Sequence, residues 1–302
     1  MINAFKPYAP ILFSTPQPIL TPESLNRDIN PRPIHSHNDY WRKSTHGGGA
    51  FIEAVKHGAM SIESDVWVFD KTYTVSRVGT DTPTTLQKNE VYVGHNHIYL
   101  KEDETLDSLY LQPMMELLDY ANPSIEPKIN DEKYGIYFNS PETPTYFWMD
   151  FKTDAQYTYE IIKPHFQEFI DKGYLAYYDH EEDKFVSGPI IVTITGNIPD
   201  IKDKKQYFFI DGPLHKFEDM SHQELKELSK VCKVASASQK QIDDLHNGLY
   251  STKLFTLAHE YGMKTRVWGG RSWPRSEAEA DKLRGFQSGC DFINSDDLTF
   301  GG

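Results

Sequence analysis

Eight short runs rich in β-branched and aromatic residues recur along this chain, and helical patterns separate most of them. They are Pro33–His37, Ser61–Trp67, Tyr146–Lys152, Ile190–Thr195, Tyr207–Asp211, Lys233–Ser236, Lys264–Gly269 and Asp291–Ser295. Strands alternating with helices read as parallel strands joined by crossovers, whereas a sandwich would run strand after strand. Ala50, Phe51, Ala54 and Val55 share one face of a helix over Gly49–Gly58, as Tyr159, Ile162, Phe166 and Phe169 do over Asp154–Lys172. Further helices are expected over His222–Lys230, Gln241–Tyr261 and Ser276–Ser288. Eight β/α steps in roughly 265 residues suit an α/β fold of the (β/α)8 TIM-barrel type, whose functional side chains gather at the C-terminal ends of the strands. One large core is the economical reading of 302 residues.

The expected organisation is an extended leader over residues 1–31 and one barrel over residues 32–302. Two stretches exceed a plain barrel: polar, turn-rich Thr72–Gln87, and Tyr174–Val186, which reads as a short acidic hairpin. Both are expected to be rims or lids. The leader MINAFKPYAPILFSTPQPILTPE has neither a secretory core nor a membrane span, so the chain reads as soluble, and a targeting or anchoring segment upstream stays open. Lys and Arg number 31 against 44 Asp and Glu, giving a net charge of -13 with no long basic run. That argues against nucleic acid as a partner and against long-range attraction to an anionic bilayer, while local peripheral contact with a membrane stays open. Cys232 and Cys290 alone cannot build a disulfide framework.

Three segments carry the chemistry: HSHNDYW at His35–Trp41, IESDVW at Ile62–Trp67 and VGHN at Val93–Asn96. Glu63 and Asp65 lie two apart on a strand, so their carboxylates share a face and repel unless a cation sits between them. With Asn38 as a third oxygen donor, the set favours Mg2+ or Ca2+ over zinc. The alternative is a pair of solvated acids, which the apolar neighbours Ile62, Val66 and Trp67 disfavour. Asp150 and Lys152 in WMDFKT repeat this geometry, as a further ligand and a fixed positive charge for a phosphoryl oxygen, or else as a structural ion pair. His37 and His95 are the acid/base candidates. His35 then orients His37 or binds the metal, and His97 shares the face of His95 if that strand continues. Trp268 in RVWGG reads as a core aromatic or a wall of the substrate pocket, and Asn294 in FINSDD reaches the site or caps a helix, as does Asp296.

These segments, in this order, resemble the superfamily of phospholipase C-like phosphodiesterases, which are TIM barrels. HNDYW, IESDVW and VGHN are similar to the His-Asn pair, E-x-D strand and second histidine of phosphoinositide phospholipases, and DFKT is similar to the DLKT segment of sphingomyelinase D-type enzymes. Glycerophosphodiester phosphodiesterases share the E-x-D strand. From about Arg32 onward the likeness is to the fungal altered inheritance of mitochondria protein 6 family. The resemblance implies His37 and His95 as catalytic histidines, with Asn38, Glu63, Asp65 and Asp150 around one divalent cation.

The expected function is therefore metal-dependent cleavage of a phosphodiester, a small molecule or a lipid head group, by two-histidine acid/base catalysis. Two alternatives stand beside it. One is a barrel that binds a phosphorylated ligand or a protein partner without turnover. The other is a zinc-dependent amidohydrolase-type enzyme built on His35 and His37, although strands ending TITGN and FFIDG supply no further histidine.

Overall fold

The computed structural model describes residues 20–37, 49–76, 83–123, 132–246, 252–271 and 273–298. Its frame is β1 (Arg32–Ser36), β2 (Ala59–Val68), β3 (Thr145–Phe151), β4 (Ile190–Gly196), β5 in two pieces (Phe208–Ile210 and Gly212–Pro213), β6 (Val234–Ser238), β7 (Lys264–Trp268) and β8 (Phe292–Ser295). The strand order runs β5-β4-β3-β2-β1-β8-β7-β6-β5, with the two pieces of β5 at its opposite ends, so the sheet closes on itself. All eight pairings are parallel. This is the α/β TIM barrel expected, with each strand within two residues of its anticipated bounds.

A barrel strand is buried on both faces, which explains continuous apolar runs such as TYFWMDF in β3. Tyr146, Trp148, Ile191, Phe209, Val234 and Phe292 pack together as one cluster, whereas Phe147, Met149 and Phe151 belong to the larger one that includes Phe166 and Phe169 from the helical layer. At the break in β5, the Asp211 carboxylate accepts hydrogen bonds from Thr195 Oγ1 (2.9 Å), Ser236 N (3.0 Å) and Ser236 Oγ (2.5 Å). One side chain thus ties β4, β5 and β6 together where the sheet closes.

Several local expectations require correction. The segment expected as an extended leader contains a helix, α1 (Pro22–Asn26), opened by a capping box between Thr21 and Ser24. Buried Asn26 fastens it to the barrel, donating to Ile136 O (2.8 Å) and accepting from Phe138 N (2.8 Å). After α2 (Gly49–Lys56) comes an unanticipated helix, α3 (Gln112–Ala121), preceded by a π-helical turn over Asp107–Leu111. The expected helix over Asp154–Lys172 is α4 (Ala155–Ile162), a 3-10 turn at Lys163–Phe166 and α5 (Gln167–Asp171), since Pro164 cannot continue an α-helical ladder. Beyond α6 (His222–Val231), the expected helix over Gln241–Tyr261 is two, α7 (Gln239–His246) and α8 (Thr252–Glu260), and residues 247–251 lie outside the described ones. Helix α9 (Arg275–Gln287) matches its expectation. No helix among the described residues is long and apolar enough to cross a membrane.

The hairpin expected at Tyr174–Val186 forms, as strands Tyr177–Asp179 and Lys184–Val186. It is not a lid over the strand ends where the carboxylates lie. It leads into the N-terminal end of β4, with Ala176 N donating to Ile190 O, and it pairs with Lys205–Gln206 just before β5. Within Thr72–Gln87, Tyr73–Val75 pairs antiparallel with Thr84–Leu86, and this hairpin follows the C-terminal end of β2.

Candidate active site

Inside the closed barrel the pleat sets which residues meet. Glu63 lies opposite Trp148, and Asp65 opposite Asp150, in the parallel register of β2 and β3. Glu63, Asp65 and Asp150 can each present a carboxylate oxygen within 4.8 Å of the others, and they are the group among the described residues so arranged. Glu63 and Asp65 are buried, at 5% and 3% exposure. Their charges are compensated by two cations. Lys152 Nζ lies 2.5 Å from Asp150 Oδ2 and 3.1 Å from Asp65 Oδ1, and Arg266 Nη2 lies 3.2 Å from Glu63 Oε2.

These surroundings pull the carboxyl groups apart. Burial works to raise the pKa of Glu63, but the Arg266 guanidinium and the hydrogen bond from His35 outweigh it and hold the group far below the usual range. Asp65 is pushed up by burial first and then by the charge of Glu63, which Lys152 only partly offsets. Lys152 is raised, since Asp65 and Asp150 overcome the opposing effect of its burial.

His37 extends from the end of β1, where its backbone N donates to Ser295 O, with Nδ1 2.5 Å from Asp296 Oδ1 and Nε2 3.6 Å from Glu63 Oε2. Burial would lower its pKa, yet Asp296 and Glu63 raise it above the ordinary value. His95 arrives by a different route. Strand Val91–Val93 pairs antiparallel with Val66–Val68 at the C-terminal end of β2, and Gly94 N donates to Asp65 O. The ribbon sets His95 Nδ1 3.3 Å from Asp65 Oδ2, with the ring largely exposed and its pKa lowered by burial and by Lys152.

His35 is fully buried and holds Glu63 rather than His37. Burial first, then Arg266, pushes its pKa down to about 3, so the ring is neutral. A neutral ring has one N–H, which Nε2 donates to Glu63 Oε2 (3.0 Å), leaving Nδ1 to accept from Ser61 Oγ (2.7 Å). Both ring nitrogens are thus engaged by protein partners, Ser61 on one side and Glu63 on the other. His97 does not share the face of His95. It falls in a 3-10 turn, His97–Tyr99, and its ring packs on Trp67 with centroids 5.9 Å apart. Trp268 is not a core aromatic, being 44% exposed at the end of β7. Asn38 lies outside the described residues.

Asn294 accepts from Arg266 Nε (3.0 Å) and Nη2 (2.7 Å) rather than capping a helix. Arg266 is the principal residue that sequence reasoning missed. Its signal was its parity with Trp268 on β7, which turns a charged side chain toward the interior of an apolar barrel. A cavity of about 260 Å³ opens beside His37, lined by Asn294, Asp296, the Gly269–Gly270 turn, Arg275 and Lys282.

The model of the AIM6-like phosphodiesterase domain matches residues 23–88 and 75–210 of this chain. "Altered inheritance of mitochondria protein 6" of Saccharomyces cerevisiae (strain YJM789) is 33% identical over 300 residues, covering 91% of this chain and 71% of the relative. The protein of the same name from Lachancea thermotolerans is 34% identical over 313 residues, covering 91% and 66%. Among solved structures, the chain is similar to a glycerophosphodiester phosphodiesterase from Thermotoga maritima, with a TM-score of 0.42, 13% identity and 88% and 95% of the two chains covered. It is also similar to the phosphatidylinositol-specific phospholipase C from Listeria monocytogenes, with a TM-score of 0.37 and 94% and 93% covered.

Proposed function

Because this chain belongs to the AIM6-like phosphodiesterase domain family, we propose that it is a divalent-cation-dependent phosphoric diester hydrolase working by histidine acid/base catalysis. The observation that carries the reading is the convergence of the carboxylates of Glu63, Asp65 and Asp150 within 4.8 Å, with one histidine reaching this group from each side. Three hard oxygen donors, two of them buried, suit Mg2+ or Ca2+. When bound, such an ion polarises a phosphoryl oxygen and lowers the pKa of an attacking hydroxyl.

The chain's own residues do the rest. His37, made more basic by Asp296, accepts the proton of the attacking water or substrate hydroxyl. His95, more acidic than an ordinary imidazole and open to solvent, protonates the departing alkoxide. Lys152 keeps its charge near the phosphoryl oxygens because Asp65 and Asp150 stabilise the ammonium. The substrate is a phosphodiester, a small molecule or a lipid head group. An adjacent hydroxyl on the substrate gives a cyclic phosphate product, and its absence gives direct hydrolysis.

The test is hydrolysis of bis(p-nitrophenyl) phosphate by EDTA-stripped protein, with Mg2+, Ca2+, Mn2+ or Zn2+ restored separately beside an Asp150→Asn control. Activity restored by a hard cation and lost in the control is expected. Full activity after stripping, with no response to any ion, would overturn the cation's role. If no ion yields activity while Mn2+ binds, a barrel that binds a phosphorylated ligand without turnover stands equal to an enzyme of narrow specificity.

A further inference from the structure

We propose that Asn294 and Arg266 act as a positioning relay for Glu63, fixing which of its two oxygens is presented to the cation. The proposal rests on the cation reading above and adds to it two residues from β7 and β8.

Arg266 is 4% exposed, and its guanidinium lies over the Trp148 ring, 5.0 Å from the centroid. Asn294 Oδ1 accepts from both Nε and Nη2, which fixes the rotation of the planar fork. The fork then directs Nη2 at Glu63 Oε2 (3.2 Å), the same oxygen that receives the N–H of His35 (3.0 Å). Trp148 also packs against His35 in a T-shaped arrangement, with centroids 5.3 Å apart at 87°, so one indole supports both donors. The described donors to the Glu63 carboxylate all fall on Oε2. A carboxylate held through one oxygen by two fixed donors presents the other, Oε1, in a set direction, and partners of this kind tune metal affinity as strongly as some ligands do.

The chemistry needs arginine. A lysine could neutralise Glu63, but a single ammonium cannot hold the planar fork between Asn294 and Glu63. Asn294 separates geometry from charge, since it is neutral and bonds the guanidinium.

The experiment is calorimetric titration of EDTA-stripped protein with Mn2+, with thermal unfolding recorded before the metal is added. Asn294→Ala and Arg266→Lys are each expected to weaken Mn2+ binding by about 10-fold or more while the protein still melts cooperatively. Arg266→Lys serves as the second variant should Asn294→Ala fail to fold. If both variants bind Mn2+ as the wild type does, or if Arg266→Met binds it more tightly while Asn294→Ala is unchanged, Arg266 acts as a charge alone and the relay is overturned. A wild type that binds no Mn2+ overturns the cation reading and the relay with it, whereas wild-type binding with unaffected variants overturns the relay only.

Discussion

Asp296 Oδ1 sits 2.5 Å from His37 Nδ1 although 259 positions separate the two residues, and the pairing of β1 with β8 brings them together. The contact fixes the ring and raises its basicity, leaving Nε2 directed at the carboxylate cluster. Asp296→Asn keeps the shape and removes the charge. It should lower kcat/KM about 10-fold or more and move the limb of the pH–rate profile governed by His37 to lower pH. A profile identical to the wild type would mean that Asp296 does not set the basicity of His37.

Removing either imidazole should reduce turnover by about 10²- to 10⁴-fold while leaving the melting temperature nearly unchanged, since His37 is partly exposed and His95 largely so. The check is kcat on bis(p-nitrophenyl) phosphate for His37→Ala and His95→Ala. A fully active His95→Ala protein would sink the two-histidine mechanism.

Glu63→Ala and Asp150→Asn should part company in stability. Deleting Glu63 leaves Arg266 buried without its ionic partner, which costs about 3–5 kcal/mol. Asp150→Asn leaves Lys152 paired with Asp65 in a partly exposed position, so a loss within about 1 kcal/mol is expected. Urea unfolding of the two variants measures the difference, and this is why Asp150→Asn is the better activity control.

Asp211 should make stability fall as pH rises through mild acid. Burial lifts its pKa in the folded protein from 3.8 to about 6, against the pull of Ser236, Arg266 and Thr195. Between those values the folded state holds a proton that the unfolded state has released. The contribution is fully present below pH 3.8 and gone above about pH 6. Its size is about 3 kcal/mol at most. Denaturant unfolding of wild type and Asp211→Asn from pH 4 to pH 7 should show the gap between them changing across that window, and a constant gap would refute the assignment.

The barrel was legible because parallel strands buried on both faces are short, apolar and β-branched, as in IIVTITG of β4, and because helical spacing separates them. The carboxylates were legible through the two-residue period that puts Glu63 and Asp65 on one face. Helix α3 was missed although Met114, Leu117 and Leu118 are spaced helically; its Pro113 stands in the first turn, where proline is tolerated. The partners of a site residue are harder to read than the residue itself. Nothing local to His37 announces Asp296, and nothing local to Glu63 announces Arg266, since both contacts exist only once the sheet has closed.

Closure of the sheet also sets an order of events during synthesis. Glu63, Asp65 and Asp150 leave the ribosome early, while Arg266 follows Glu63 by 203 positions and β8, which completes the surroundings of β1, comes later still. The acidic wall is therefore made long before the guanidinium that neutralises Glu63. Until then Glu63 stays with water rather than entering a dry interior. A nascent chain that ends before β7 lacks Arg266, Asn294 and Asp296, so the surroundings of Glu63 and His37 are completed only when the last two strands are made.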